Sequence, residues 1–444
     1  MADLLPDQLR NRDRERRNAY RTNLAFYEGR QWTNQRDRRR RLTFNYCRAI
    51  ITKATSYLMK DRTVTVAPDG DSDEAAAAAA DAELAINAVW DQNNLNQLDF
   101  DTELDCAVLG DAGYKTTWDP IAKRVRISAP DPAGVFAWRW PDDPSRVWRV
   151  ASQYQLDHDS VLAVTGVDPP AIAGRQRTHT ITEDWTSQTF QLWIDKTLAR
   201  DEPNPYGFVP FVLFPNLREP KREWGTSDVD QLIEPQRELN RVVTQTSKIL
   251  ELSGNPIAVL EGITEAQDIA VVPGAIWEIP TDAKASTLDL LKGGGIRLHI
   301  DFLDKVYRAM HDLGETPRAA FGDTNRDLSG VALELELDPL IKKVDRKRLI
   351  RTDAYRQRNT QIIALLNAFA GMDLGEPNHS IAWGSILPTD RDRLVRDEVA
   401  LVNAAIHSRN HAADALGHIH DPASEFQRVL EEEAAIAAVN TAAP

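Results

Sequence analysis

Three carboxylates stand at two-residue intervals in this chain, Glu334, Glu336 and Asp338. Acids grouped in this way can hold divalent metal for cleavage of a phosphodiester. One reading of the chain is therefore a metal-dependent nucleic-acid-processing enzyme built on that cluster. The surrounding pattern is helical, however, and helix residues two apart point to different sides. His407 and His411 are four apart and can share a helix face, but no third ligand stands at a metal-site spacing. His418 and His420 make at best a surface pair. Gly293-Gly294-Gly295 lacks the Lys-Ser/Thr that completes a phosphate-binding loop and reads as a hinge. No serine or cysteine has the neighbourhood of a nucleophile. The residues describe a non-enzymatic, multi-part protein, with no cofactor and no bound metal expected.

The other chemistry on offer is cationic. Lys342, Lys343, Arg346, Lys347, Arg348, Arg351, Arg356 and Arg358 stand against only Asp345 and Asp353. They form either a solvated helix face with a few ion pairs or a surface near a polyanion. Composition does not choose between these. A second basic run, Arg36 and Arg38 to Arg41, reads as a basic loop. The first 62 residues carry 16 Lys/Arg and 7 Asp/Glu, so that end is +9 and the remainder −23, for a net −14 over 444 residues. That balance argues against a simple cationic DNA coat.

The stretch from Phe321 to Gly371 must position most of these groups. It opens in a turn-rich segment, Gly322-Asp323-Thr324-Asn325-Arg326-Asp327, then enters a helical pattern that runs to Ala370. Asp327 or Ser329 can cap the start, and Gly371 can end it in the left-handed conformation. About 40 residues of helix would span roughly 60 Å. Pro339 should kink or interrupt it. Before it, Phe302, Leu303, Val306, Tyr307, Met310 and Leu313 form one apolar helix face, stopped by Gly314 and Pro317. Val229, Leu232, Ile233, Leu239, Val243, Thr246 and Leu250 form another, with Ser227 and Asp228 as capping residues and Pro235 as a break. Between the two lies a β-like insert: Ile257 to Leu260, a turn at Pro273-Gly274, and Ala275 to Ile279.

Upstream, residues 6–30 read as an Arg-rich helix. A second helix carries Ile50, Ile51, Ala54, Tyr57 and Leu58, and a strand comes after it at 61–66. Helices at 73–92 and about 98–109 come next. Residues 113–214 are a run of short antiparallel strands. After Gly371 come an extended piece at 381–383, a helix from Pro388-Thr389-Asp390 to about Ala405, and an alanine-rich tail. The fold class is α+β, mainly helical, in two to four structural units. Cys47 and Cys106 are too few for a disulfide framework and read as ordinary buried or half-buried thiols. No apolar run approaches a membrane span.

Several stretches carry a family likeness: Tyr27-Glu28-Gly29-Arg30-Gln31-Trp32, Thr43-Phe44-Asn45-Tyr46-Cys47-Arg48 with Lys53 and Ser56-Tyr57-Leu58-Met59 after it, Phe211-Val212-Leu213-Phe214-Pro215-Asn216, Trp224-Gly225-Thr226-Ser227-Asp228, Leu239-Asn240, Phe321-Gly322, Leu328-Ser329-Gly330-Val331-Ala332-Leu333-Glu334 and Ile386-Leu387-Pro388-Thr389-Asp390. In this order they resemble the portal proteins of tailed double-stranded DNA bacteriophages, of the siphophage type. The resemblance implies a homo-oligomeric ring, usually of twelve subunits, at one capsid vertex of the virion, assembled in the host cytoplasm. DNA is packaged and ejected through its channel. The implied partners are other copies of the chain, double-stranded DNA, the terminase large subunit, a head-to-tail adaptor, and the major capsid protein with its scaffold; no membrane is implied.

Carried onto this chain, residues 1–225 become the wing. Residues 226–254 and 296–316 become the stem helices, and 255–295 the clip, with Trp277 at its subunit contact. Residues 317–328 become the tunnel loop, 329–371 the long kinked helix, and 372–444 a C-terminal closure of the wing with at most a short crown. Arg318, Asp323, Asn325, Arg326 and Asp327 are then the residues facing the channel. Arg36, Arg38, Arg39, Arg40, Arg41, Lys342 and Lys343 are further candidates for DNA or anion contact.

Overall fold

The structure, a computed structural model, describes residues 5–32, 41–143, 145–170, 178–254, 257–261, 284–288, 295–323, 330–386, 391–416 and 425–432. The chain divides into two units, Met1–Trp383 and Gly384–Pro444.

The first unit mixes helix and sheet. Its N-terminal helix is two helices, α1 (Leu5–Asn11) and α2 (Arg14–Tyr27). The expected single helix breaks at Asp13, which takes a left-handed conformation with φ 53°. Helix α3 (Tyr46–Leu58) starts on Asn45, whose side chain accepts the Arg48 N–H. That side-chain oxygen satisfies a backbone donor that the first turn leaves free. Ser72 does the same for α4 (Asp73–Gln92) through the Ala75 N–H. Helix α5 (Leu95–Leu109) ends on Gly110 at φ +109°, a conformation that suits glycine.

Two antiparallel sheets come next. Strands β2 (Asp111–Asp119), β3 (Arg124–Ser128) and β9 (Phe211–Pro215) form one, in the order β3-β2-β9. Strands β4 (Val135–Arg139), β5 (Val147–Asp157), β6 (Thr178–Thr186), β7 (Thr189–Ile194) and β8 (Thr197–Pro203) form the other, in sequence order. A short helix, α6 (His158–Thr165), interrupts the strand run. Eight residues without a clear apolar period leave little to read from sequence.

Beyond the sheets, α7 (Ile233–Gly254) carries Pro235 in its first turn, where a missing N–H costs little, so the helix does not break there. It packs on α8 (Gly295–Leu313) through Leu239, Val243, Leu303, Val306 and Met310. Between them, β10 (Ile257–Glu261) pairs antiparallel with β11 (Lys284–Leu288). The expected turn at Pro273-Gly274, the strand 275–279 and Trp277 lie outside the described residues.

The long helix α9 spans Gly330–Leu365 with Pro339 inside it, so the proline does not interrupt it. A π-helical turn, Leu366–Ala370, continues it, and Gly371 at φ +70° ends it. Its expected caps, Asp327 and Ser329, lie outside the described residues. The α9 residues Ala354, Tyr355, Ile362, Ile363 and Leu365 join Ile86, Val89, Trp90, Leu95, Tyr114 and Phe214 in the largest core. Strand β12 (Asn378–Trp383) then pairs antiparallel with β1 (Arg62–Ala67), bringing the end of this unit back to its beginning.

The second unit contains α10 (Arg391–Asn403) and α11 (Arg409–Leu416), and residues 425–432 are helical. Among the described residues, no helix is long and apolar enough to cross a membrane.

Candidate functional site

The basic run on α9 divides: Lys342, Arg346 and Arg356 are exposed, but most of its cations are not in water. Lys343, Lys347, Arg351 and Arg358, at spacings of four, four and seven, lie on one side of the helix, and all four are buried. A buried charge is tolerated only with an opposite charge and hydrogen bonds in place. Two acceptors come from α5, where Asp99 and Glu103 are four apart, and the third is Asp228. Arg358 donates to both carboxylate oxygens of Asp99, at 2.5 and 3.1 Å, and Arg62 donates to Asp99 at 3.0 Å. Arg351 donates to Glu103 at 2.7 and 3.0 Å. Lys347 lies 2.7 Å from Asp228 and 3.6 Å from Glu103. Lys343 lies 3.3 Å from Asp228. Because 99 pairs with 358 and 103 with 351, the two helices run antiparallel along this ladder.

Several of the remaining donors are spent locally. Arg351 also donates to the carbonyls of Pro215 (2.8 Å) and Asn216 (3.0 Å). Asn216 donates to the Thr226 carbonyl at 2.9 Å and to Asp228 at 3.2 Å. Trp90 donates to Asn359 at 3.0 Å. The Arg358 guanidinium lies 4.5 Å from the Tyr114 ring centre and 4.8 Å from that of Tyr355. Burial pushes the Asp228 carboxyl up, but the Lys343 and Lys347 ammoniums outweigh it, and the group is held well below the usual carboxylate range. Burial pulls Lys343 down, against the attraction of Asp228. Asp228 is therefore not the helix cap its position suggests. Nor is Ser227: it accepts the Val229 N–H at 2.9 Å in a local turn and donates to the Val108 carbonyl at 2.6 Å, while the 3-10 turn Asp230–Leu232 starts on Val229 with no side-chain cap.

Close backbone contact brings Asp228 to the ladder. A Cβ on Gly225 would lie 2.3 Å from the Gly110 carbonyl oxygen and 2.6 Å from Pro215 Cβ. The Gly225 N–H donates to Asp111 at 2.7 Å, and the Tyr20 hydroxyl donates to the same carboxylate at 2.6 Å. Three sequence segments, 110–111, 215–216 and 225–228, thus converge beneath α9.

At its N-terminal half, α9 also fixes the turn that comes after α8. Lys343 donates to the Gly314 carbonyl at 3.0 Å, and Arg346 pairs with Glu315. His311 is buried, its Nδ1 2.7 Å from the Thr316 carbonyl, so Nδ1 carries the proton and donates. The chain then makes a 3-10 turn, Arg318–Phe321, and leaves it through Gly322 at φ +83°. Phe321 packs edge-on against His311 at 5.4 Å. Arg318 pairs with Asp323, lies 4.0 Å from Asp304, and sits over the Tyr307 ring. The near side of the segment before α9 is therefore tied to both neighbouring helices.

One family model, phage portal protein, SPP1 Gp6-like, matches residues 7–438. The chain belongs to this portal protein family. No curated protein matches it.

For the portal chain, the residues singled out by sequence separate into three groups. Arg318 and Asp323 lie together on the turn, as an ion pair with each other. Arg41 is exposed and sits over the Trp32 ring at 4.5 Å, and Lys342 is exposed. Lys343 requires correction as an anion contact, because its ammonium is buried and its anion is Asp228. Asn325, Arg326, Asp327, Arg36, Arg38, Arg39, Arg40 and Trp277 lie outside the described residues. Glu334, Glu336 and Asp338 are exposed along α9, and among the described residues no group of three or more His, Cys, Asp or Glu is arranged to hold a metal. The metal-dependent enzyme reading thus has no cluster to stand on there. His407 meets Glu398 at 2.9 Å and the His411 ring edge-on. Both thiols are buried, and burial pushes Cys47 up to about 12.

Sequence reasoning missed the ladder. Its available signal was the four-residue spacing of Asp99 and Glu103 on α5, matched by bases four apart elsewhere.

Proposed function

We propose that the chain forms a closed ring, of the twelve-subunit kind its family resemblance implies, at one vertex of a phage capsid. DNA enters and leaves through its channel, terminase docks during packaging, and a head-to-tail adaptor takes its place afterwards. In this reading residues 1–225 are the wing, α7 and α8 the stem, 255–295 the clip, 317–328 the tunnel loop, and α9 the helix that joins the loop back to the wing. Residues 372–444 close the wing. The protein's role is structural, with no catalytic step of its own.

The observation that carries this reading is the family match over 7–438, together with the succession of α7, a strand pair, α8, a tied turn and one long helix. The apolar surface of α8 supports it. Leu298 is 71 % exposed and Ile300 54 %, although Leu303, Val306 and Met310 on the same helix face α7. Large apolar side chains left this exposed suit contact with another copy. Arg318, beside Asp323, would then offer one partly neutralised cation per subunit to a passing phosphate backbone, which favours weak contact without base reading.

The test is negative-stain microscopy with native mass measurement on purified protein. A large ring with a central hole is expected. A species that stays at the single-chain mass of 49.8 kDa at high concentration would overturn the proposal.

A further inference from the structure

Resting on the channel reading above, we infer that the exposed side of α3 is a second contact for the DNA phosphate backbone, separate from the turn at Arg318. A shallow depression of about 420 Å³ lies there, lined by Asn45, Arg48, Ala49, Thr52, Lys53 and Ser56. The lining contains two cations, two hydroxyls and an amide, with no acid and no large apolar side chain. Arg48, Thr52 and Ser56 repeat every four residues and so stack along one helix face, about 6 Å apart. That interval is comparable to the separation of successive phosphates on one strand.

The two cations differ from those around them. Arg318, Arg346 and Lys343 are each matched by a carboxylate. Arg48 and Lys53 face none among the described residues. Their neighbours are rings, Tyr27 at 5.6 Å from Arg48 and Phe321 at 5.6 Å from Lys53. Such contacts leave the charge available to an anion. Ser56 donates to the Thr52 carbonyl at 2.8 Å and the Asn45 amide to the Tyr27 carbonyl at 2.7 Å, so the two cations and the Thr52 hydroxyl make the phosphate contacts, which carry no base preference. A protein partner is less well served, because the depression offers no apolar anchor. Phe321 belongs to the 318–321 turn, so the Lys53 contact joins this face to the segment proposed as the tunnel loop. One backbone could touch both.

The experiment uses the assembled full-length ring and a short fluorescent duplex, titrated from 50 to 200 mM salt. The variant Arg48→Gln/Lys53→Gln changes only partly or fully exposed side chains. It should weaken duplex binding about tenfold or more at low salt, and make the slope of log K against log salt shallower by about 2, the loss of two phosphate contacts. Arg428→Gln, on the 425–432 helix, should leave both unchanged. An unaltered slope and affinity in the double variant, with the wild-type ring binding duplex, would overturn this inference and leave the ring and channel standing. Failure of the double variant to form rings would instead make α3 a subunit contact and overturn it. So would displacement of the duplex by inorganic phosphate at constant ionic strength, which would mark a small-anion site. A wild-type ring with no affinity for duplex at any salt would refute it as well.

Discussion

Arg351 holds Glu103 at two points, Nε to Oε2 at 2.7 Å and Nη2 to Oε1 at 3.0 Å, with both side chains sealed from solvent. The pair joins the middle of the long helix to α5 across 248 residues of sequence. Its energetic weight shows when one member is lost. Charges that share a buried site have been desolvated together, so removing one strands the other.

Glu103→Ala or Arg351→Ala should therefore each destabilise the protein by about 3–5 kcal/mol, and the double variant by less than their sum. Denaturant unfolding at one fixed protein concentration measures this. Additive losses would mean the two residues act independently.

Asp228 should make the fold acid-sensitive in a particular window. A carboxyl held below its free value stabilises the folded state at every pH above about 3.9, its value in the unfolded chain. That contribution is lost as pH falls from there through the depressed folded value. Asp228→Asn should be less stable than wild type at pH 7, with a flatter dependence of stability on pH below about 4. Unfolding midpoints across a pH series give the comparison; parallel wild-type and variant curves would count against it.

Two glycines should differ in their tolerance of alanine. At Gly322, φ is +83° and no atom lies within 4 Å of a built Cβ, so only backbone strain of about 1–2 kcal/mol is expected. At Gly225 the Cβ would meet the Gly110 carbonyl oxygen at 2.3 Å and Asn216 N at 2.9 Å, so the segment carrying Asp228 must move. Gly225→Ala should be recovered mostly as insoluble protein, while Gly322→Ala should fold with a slightly lowered Tm. Equal Tm values for the two would show the close approach to be unimportant.

Leu298→Glu/Ile300→Glu places charges at two exposed apolar positions on different sides of α8. Far-UV circular dichroism of the variant should match wild type, because neither side chain belongs to the α7–α8 core. Native mass measurement should show single chains in place of rings. Intact rings would place the subunit contact elsewhere.

Gly330→Pro, at the first residue of α9, should leave ring assembly nearly intact while DNA packaging falls, since a stiffened junction restricts the segment before it. Packaging by virion assembly in vitro reads this, and normal packaging would argue against a conformational role for the junction.

Much of the helical framework was legible in local sequence. Ser72 and Asn45 announce helix starts because a short polar side chain can reach the free N–H groups of a first turn. Gly110 and Gly371 announce helix ends because both sit at positive φ. The spacing of Leu303, Val306, Tyr307 and Met310 identifies a helix with one inward face. Asp13 was less legible, since nothing in its neighbours marks a left-handed residue inside an Arg-rich helical pattern.

The destination of the charges was decided only by the tertiary structure. In sequence Lys343, Lys347, Arg351 and Arg358 look like residues that stay in water, because an unpaired charge cannot be buried. Whether a partner exists depends on segments that the chain brings back from far away: Asp228 at 119 residues from Lys347, Glu103 at 248 from Arg351, Asp99 at 259 from Arg358. No local period encodes such a match. Helix type is set by neighbours a turn apart, whereas the burial of a charge depends on a carboxylate that only folding delivers.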